Sequence, residues 1–164
     1  MTIIPVSTQK HINIVESLAR DIWTEYYTPI IGKAQVVYML DKFQSREAIA
    51  RQIADGFRYY LILQDDRHIG YAGIEPKGDE LFLSKIYIAA AERGRGYGRT
   101  CSEFIDKIAQ EEGFDAVTLT VNKNNMASIA AYERWGFKKL FPLVQDIGGG
   151  FVMDDYKMGK TISR

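Results

Sequence analysis

The chain has 164 residues, 46% hydrophobic and 26% charged, and its 21 Lys plus Arg balance 21 Asp plus Glu. That length suits one domain, residues 1–164, large enough to bury a sizeable core, and the neutral balance argues against a nucleic-acid binder that relies on bulk charge. No apolar run reaches the length needed to span a membrane and no basic-then-apolar leader opens the chain, so a cytoplasmic protein without a membrane partner is expected.

Thr2 to Val6 reads as a short opening strand, with Pro5 marking an edge. Val15, Leu18, Ala19, Ile22 and Trp23 share one helical face that Ser7 or Thr8 can cap. Tyr26-Tyr27-Thr28-Pro29 and Gly32 are expected to interrupt that helix. A second helix follows at about Ala34 to Phe43, and a third from Ser45 to Asp55, ending at Gly56. Three strands come next, Phe57 to Gln64, His68 to Glu75 and Glu80 to Ile88, joined by the polar hairpin connections Asp65-Asp66-Arg67 and Lys77-Gly78-Asp79. Cys101 to Ala109 is amphipathic, and Cys101 falls on its apolar face with Phe104, Ile105 and Ile108, which makes the cysteine a core residue rather than a nucleophile. Val117, Leu119 and Val121 alternate with Thr118 and Thr120 in a further strand. A short helix from Met126 to Trp135 stops at Gly136, and the tail reads as a hairpin of Phe141 to Gln145 and Met153 to Met158 around Ile147-Gly148-Gly149-Gly150. Strand, helices, three antiparallel strands, helix, strand, helix and two strands make an α+β fold.

Between the third of the serial strands and the amphipathic helix lies Arg93-Gly94-Arg95-Gly96-Tyr97-Gly98-Arg99. Glycines let backbone come close to a ligand, so several N–H groups can converge on one anion. The helix that follows adds its first-turn amides and the positive end of its dipole. Arginine forks suit phosphate oxygens, so the segment reads as a seat for a diphosphate-bearing cofactor. No Gly-Lys-Ser/Thr follows, so there is no Walker lysine, and the spacing and position do not fit a Rossmann loop. Asn122-Lys123-Asn124-Asn125 then breaks the later strand and supplies an N-cap.

Together these segments resemble the GNAT family of N-acetyltransferases. The resemblance rests on Arg93-x-x-Gly96-x-Gly98 after Lys85-Ile86-Tyr87-Ile88, then Asn125-x-x-Ser128-x-x-Ala131-Tyr132-x-x-x-Gly136-Phe137, in the family's order. It is strongest from Phe57 to Phe137; Ser128 and Ala131 stand where the family more often has alanine and leucine. It implies a mixed sheet whose fourth and fifth strands start side by side and splay, flanked by helices. It also implies acetyl-CoA as acyl donor and no metal. The backbone of Ile86, Tyr87 and Ile88 would pair with pantetheine, Arg93 to Arg99 would hold the pyrophosphate, and Asn125 would bond the cofactor arm as well as cap its helix. Gly94 is a residue the family does not demand.

The reaction implied is direct acyl transfer from a thioester to a primary amine of a small molecule or peptide. Tyr132 matches the family tyrosine that protonates the departing sulfur. For the base, Ser84 and Lys85 occupy the usual strand positions, so Glu75 and Glu80 are the nearest carboxylates, with Glu75 the candidate and a water relay as the other route. Tyr26, Tyr27 and Tyr38, and Asp154 and Asp155 in the tail, are candidates for acceptor recognition, and the tail and Tyr-x-Pro-Ile-x-Gly stretch look like bacterial members acting on small amines, including polyamines. Two other readings stay open, a non-catalytic acyl-CoA-binding module and another kind of nucleotide-binding domain. The chain is expected as a monomer or homodimer.

Overall fold

A computed structural model describes residues 1–163. In chain order the elements are β1 (Thr2–Pro5), α1 (Gln9–Ile31), α2 (Lys33–Gln44), α3 (Arg46–Ala54), β2 (Arg58–Gln64), β3 (Arg67–Lys77), β4 (Glu80–Ile88), α4 (Tyr97–Glu112), β5 (Ala116–Asn122), α5 (Met126–Arg134), β6 (Lys138–Gly148) and β7 (Phe151–Thr161). The strands hydrogen-bond in the order β1-β2-β3-β4-β5-β7-β6. β4 and β5 are parallel, while β1–β2, β2–β3, β5–β7 and β6–β7 are antiparallel, so the sheet is mixed and the fold is α+β. The β4–β5 register covers only Glu80–Phe82 against Ala116–Thr118, although β4 runs on to Ile88 and β5 to Asn122. The two strands start as neighbours and their pairing ends early.

Two compact units divide the chain, Met1–Glu75 with Lys85–Cys101, and Pro76–Ser84 with the chain from Ser102 onward. In the first, β2 is buried on both faces, as its unbroken apolar run requires. Ile62, Ile69 and Ala72 pack with Cys101. Toward the helices, Trp23 of α1 donates to the Tyr71 hydroxyl at 3.0 Å, Tyr71 donates to Gln44 Oε1 at 2.5 Å, and Gln44 Nε2 donates to the Tyr59 hydroxyl at 2.9 Å. This chain satisfies polar groups that burial would otherwise penalise. Desolvation raises Tyr71 well above the ordinary phenol range.

Helix α1 corrects the expected break at Tyr26 to Pro29: it continues to Ile31 with Pro29 inside it. Proline there leaves the Glu25 carbonyl without its helical donor and costs about 3 kcal/mol in a helix interior. Packing outweighs that cost. Trp23 and Tyr27 stack edge to face at 5.5 Å, Tyr27 meets Tyr87 hydroxyl to hydroxyl at 3.0 Å, and the Glu25 carboxylate takes Arg93 at 2.7 Å. The helix ends at Gly32, φ 85°, whose N–H bonds the Thr28 carbonyl at 3.0 Å. Thr8 is the N-cap, its hydroxyl accepting from His11 N at 3.1 Å. Asp65 and Asp66 form the β2–β3 turn with φ of 50° and 63°, the left-handed pair that tight hairpins use.

In the second unit β5 and β7 pair from Ala116–Thr161 to Asn122–Asp155. The tail strands exceed the expected segments, reaching Lys138–Gly148 and Phe151–Thr161, with register shifts at Lys139/Phe141 and Asp146/Gly148. Bulges of this kind let a strand too polar and irregular to read by alternation stay in the sheet. Leu81, Leu83, Ile105, Val117, Leu119, Phe137 and Met158 are buried. Lys160 Nζ reaches Asp106 Oδ2 at 2.6 Å, the Trp135 carbonyl at 3.1 Å and Ser102 Oγ at 3.4 Å, tying α4, α5 and β7 together.

Candidate functional site

In the first unit, β4 leads through a 3-10 turn at Ala90–Glu92 into the glycine segment. Ile86 and Ile88 pack against Ile62, Ile69, Ala72 and Cys101. Tyr87 points the other way, its ring 5.5 Å from those of Trp23 and Tyr71. With side chains committed on both faces, what this stretch offers a ligand is its backbone. Gly70 permits the close approach of the neighbouring strand, since a Cβ there would lie 2.2 Å from the Tyr87 carbonyl oxygen.

Gly94 and Gly96 have φ of 79° and 83°, and a Cβ at either would meet nothing within 4 Å. Glycine is therefore required by the left-handed backbone and not by crowding. Thr100 N and Oγ1 both bond the Gly96 carbonyl at 3.1 Å, so Gly96 stands at the N-cap of α4. A glycine cap has no side chain to cover the first-turn amides, which lack intrahelical acceptors. Tyr97 and Gly98 thus belong to the helix rather than the loop, α4 beginning four residues ahead of the expected Cys101. Tyr97 packs against the Cys101 cluster and pins that first turn.

The arginines divide. Arg93 donates from Nε to the Ile88 carbonyl at 2.9 Å and from its guanidinium to both Glu25 oxygens, at 2.7 and 3.3 Å, while lying 4.9 Å over the Tyr26 ring. It fixes the loop to β4 and α1. Arg95 bonds Glu92 Oε2 at 3.3 Å, and Arg67 holds the other Glu92 oxygen. Arg99 is exposed on the first turn of α4. Glu25, Arg67 and Glu92 are parts of this arrangement that sequence reasoning missed. Only the place of Glu92 directly before Arg93 hinted at one of them. The segment fits a linked-phosphate group: open left-handed glycines, an uncapped helix start and cations at its rim.

In the second unit, Asn125 is 3% exposed and caps α5, its Oδ1 accepting from Ser128 N at 3.3 Å. Tyr132 lies two turns along α5, half-buried, with its ring 5.6 Å from Trp135 and 5.8 Å from Phe137. Phe137 N bonds the Tyr132 carbonyl at 3.0 Å, closing the helix across Gly136, φ 97°. Glu75 sits half-buried near the end of β3 in the first unit. Tyr26 and Tyr27 lie side by side on α1, and Tyr38 on α2 is near Lys42 Nζ at 3.5 Å. Asp154 pairs with Lys123 at 2.8 Å, whereas Asp155 is buried. Burial pushes the Asp155 carboxyl up to about 6, with the Asp154 charge adding to the rise and Lys123 opposing it. Burial also pushes the Cys101 thiol up to about 12, consistent with a core residue. Among the described residues no group of three or more His, Cys, Asp or Glu could hold a metal ion, and no helix is long and apolar enough to cross a membrane.

The model of the Acetyltransferase (GNAT) family matches residues 16–137. A probable N-acetyltransferase camello of Xenopus tropicalis is 26% identical over 120 residues, 71% of this chain and 54% of that protein, so the chain spans about half the length of this relative. Among solved structures, the PaiA N-acetyltransferase of Thermoplasma acidophilum in complex with coenzyme A superposes with a TM-score of 0.79 at 20% identity, covering 98% of this chain and 99% of that one. The ribosomal-protein-alanine N-acetyltransferase of Brucella melitensis gives 0.73 at 22% identity over 98% and 99%.

Proposed function

Because this chain belongs to the GNAT acetyltransferase family, we propose that it transfers an acetyl group from acetyl-CoA directly to a primary amine of a small molecule or peptide. The observation that carries this reading is the seat at Gly94–Arg99, where left-handed glycines and an uncapped helix start sit inside the matched region. That match spans parts of both compact units, which supports reading them as one acetyltransferase domain.

When bound, acetyl-CoA supplies an activated acyl carbon on a thiol leaving group. The chain supplies the rest. Amides at Gly94, Arg95, Gly96, Tyr97, Gly98 and Arg99 take the pyrophosphate, with Arg95 and Arg99 as cations, while Arg93, whose own N–H bonds the Ala90 carbonyl at 3.4 Å, borders the cofactor and holds the loop's shape. The backbone of Ile86, Tyr87 and Ile88 pairs with the pantetheine arm as an added strand would, a reading supported by the early end of the β4–β5 register. Asn125 caps α5 and bonds the arm, and the Tyr132 phenol protonates the departing sulfur. An alkyl ammonium with pKa about 10.4 is only about 0.1% neutral at physiological pH, so a base must take a proton from the acceptor. Glu75 is one carboxylate available for it.

The test combines binding with turnover. CoA at a hundredfold excess over its dissociation constant should stabilise the protein by about 2.7 kcal/mol. Thiol release should appear with at least one amine among polyamines, aminoglycosides, amino acids and peptide N-termini. Tyr132→Phe should lower kcat by about tenfold to a hundredfold with CoA affinity retained. Unchanged turnover over a pH series refutes the acid role. Binding without turnover leaves an acyl-CoA-binding module.

A further inference from the structure

In the second unit one buried aspartate, Asp155, 3% exposed, has no hydrogen-bond or ion-pair partner for its carboxylate among the described residues. Such burial is unfavourable unless something compensates the charge. The nearby lysines are already used. Lys123 Nζ lies 2.8 Å from Asp154, and Lys157 Nζ lies 2.8 Å from Glu80.

The surroundings of Asp155 are polar and lead toward α5. Residues opposed across an antiparallel pair share a face, so Thr118, Thr120 and Asn122 of β5 lie with Gly159, Lys157 and Asp155 of β7. Thr118 is 2% exposed and its Oγ1 also lacks a hydrogen-bond partner. Asp155 stands opposite Asn122, the last residue of β5, and opposite Leu143 of β6. From Asn122 the chain turns directly into the Asn125 cap and the helix carrying Tyr132. The charges acting on Asp155 are Asp154 beside it on its own strand and Lys123 at the exit of β5; Lys157 shares its face but is paired with Glu80, and β6 presents the apolar Leu143.

We propose that Asp155 is the catalytic base of the acetyl transfer: its carboxylate receives the acceptor's ammonium and takes one proton from it. This rests on the acetyltransferase reading and deepens it by naming the group that activates a cationic amine. The N–H bond breaks and an O–H bond forms on Asp155. The freed lone pair then forms the C–N bond as the C–S bond breaks. The thiolate takes the Tyr132 phenol proton, the second nitrogen proton restores that phenol, and Asp155 returns its own proton to solvent. A carboxyl titrating at about 6 is ionised at neutral pH and yet more basic than an exposed aspartate. Glu75 is the competing assignment, and the two make different predictions.

The experiment uses the full chain, acetyl-CoA and the amine panel above, with Asp155→Asn, Asp155→Glu and Glu75→Gln. For wild type, kcat/KM for the amine should rise through an acid limb near pH 6. Asp155→Asn should lose about 100-fold or more in kcat and lose that limb, with the dissociation constant for CoA within about twofold; Asp155→Glu should recover part of the rate. The assignment is overturned if Asp155→Asn keeps the limb, or if Glu75→Gln alone removes it. Should Asp155→Asn not fold, the wild-type profile and Asp155→Glu decide, since a profile flat from pH 5 to 7 is itself a refutation. Wild type inert toward every amine defeats the enzyme reading, and this one with it; an active wild type with an equally active Asp155→Asn defeats this one alone.

Discussion

Asp155→Asn also has a thermodynamic consequence that needs no substrate. The carboxyl has an ordinary value of 3.8 and titrates at about 6 in the folded chain, so the folded state binds its proton more tightly than the unfolded state does. Between those values the folded chain carries more protons, and stability falls as pH rises. The contribution is present below about pH 4 and gone by about pH 7. At about 1.4 kcal/mol per pH unit of difference, the full effect is about 3 kcal/mol. Asparagine cannot ionise, so the variant should be free of this loss. The midpoint of thermal unfolding, compared between variant and wild type at pH 4 and pH 7.5, should move in the variant's favour by about 5–10 °C for a chain of this size. Scanning calorimetry at several pH values measures it directly, and any fixed cost of the amide cancels in the comparison. A difference that stays constant with pH refutes the reasoning. A difference moving the other way would show that a cation stabilises the ionised form.

Two further outcomes follow from packing. Gly70→Ala would put a Cβ 2.2 Å from the Tyr87 carbonyl oxygen and 3.0 Å from Ile88 Cδ1, so it should destabilise by about 3 kcal/mol, measured as a lower urea midpoint, and weaken CoA binding because the strand carrying Ile86–Ile88 is displaced. Lys160→Met leaves Asp106, the Trp135 carbonyl and Ser102 without their shared donor and should cost about 2–4 kcal/mol; adding Asp106→Asn should recover part of that in denaturant titration, because a neutral amide leaves no unpaired charge. Equal losses in the single and double variants would count against the pair.

The residues that reported their structure in advance are those with a local physical cause. Gly94 and Gly96 adopt left-handed backbone because the loop turns there, and β4 ends at the expected Ile88 because its alternation stops. Asn125 caps α5 through a contact three residues away, which spacing alone foretells. Pro29 misled for the converse reason. Its cost is local, whereas the contacts that keep α1 intact come from Tyr87 and Arg93, far along the chain.

The same division runs through the candidate site. Sequence by itself determined the strand, the glycine turn and the helix proposed as an anion seat, because backbone conformation there depends on each residue and its near neighbours. It could not determine that Arg93 is spent on Glu25, that Glu92 gathers Arg67 and Arg95, or that Asp155 is buried while Asp154 is exposed. Adjacent aspartates on a strand look alike until pairing assigns each a face, and only the neighbours that close over one of them remove its water. Tertiary structure decides which charges remain solvated and which must find a partner.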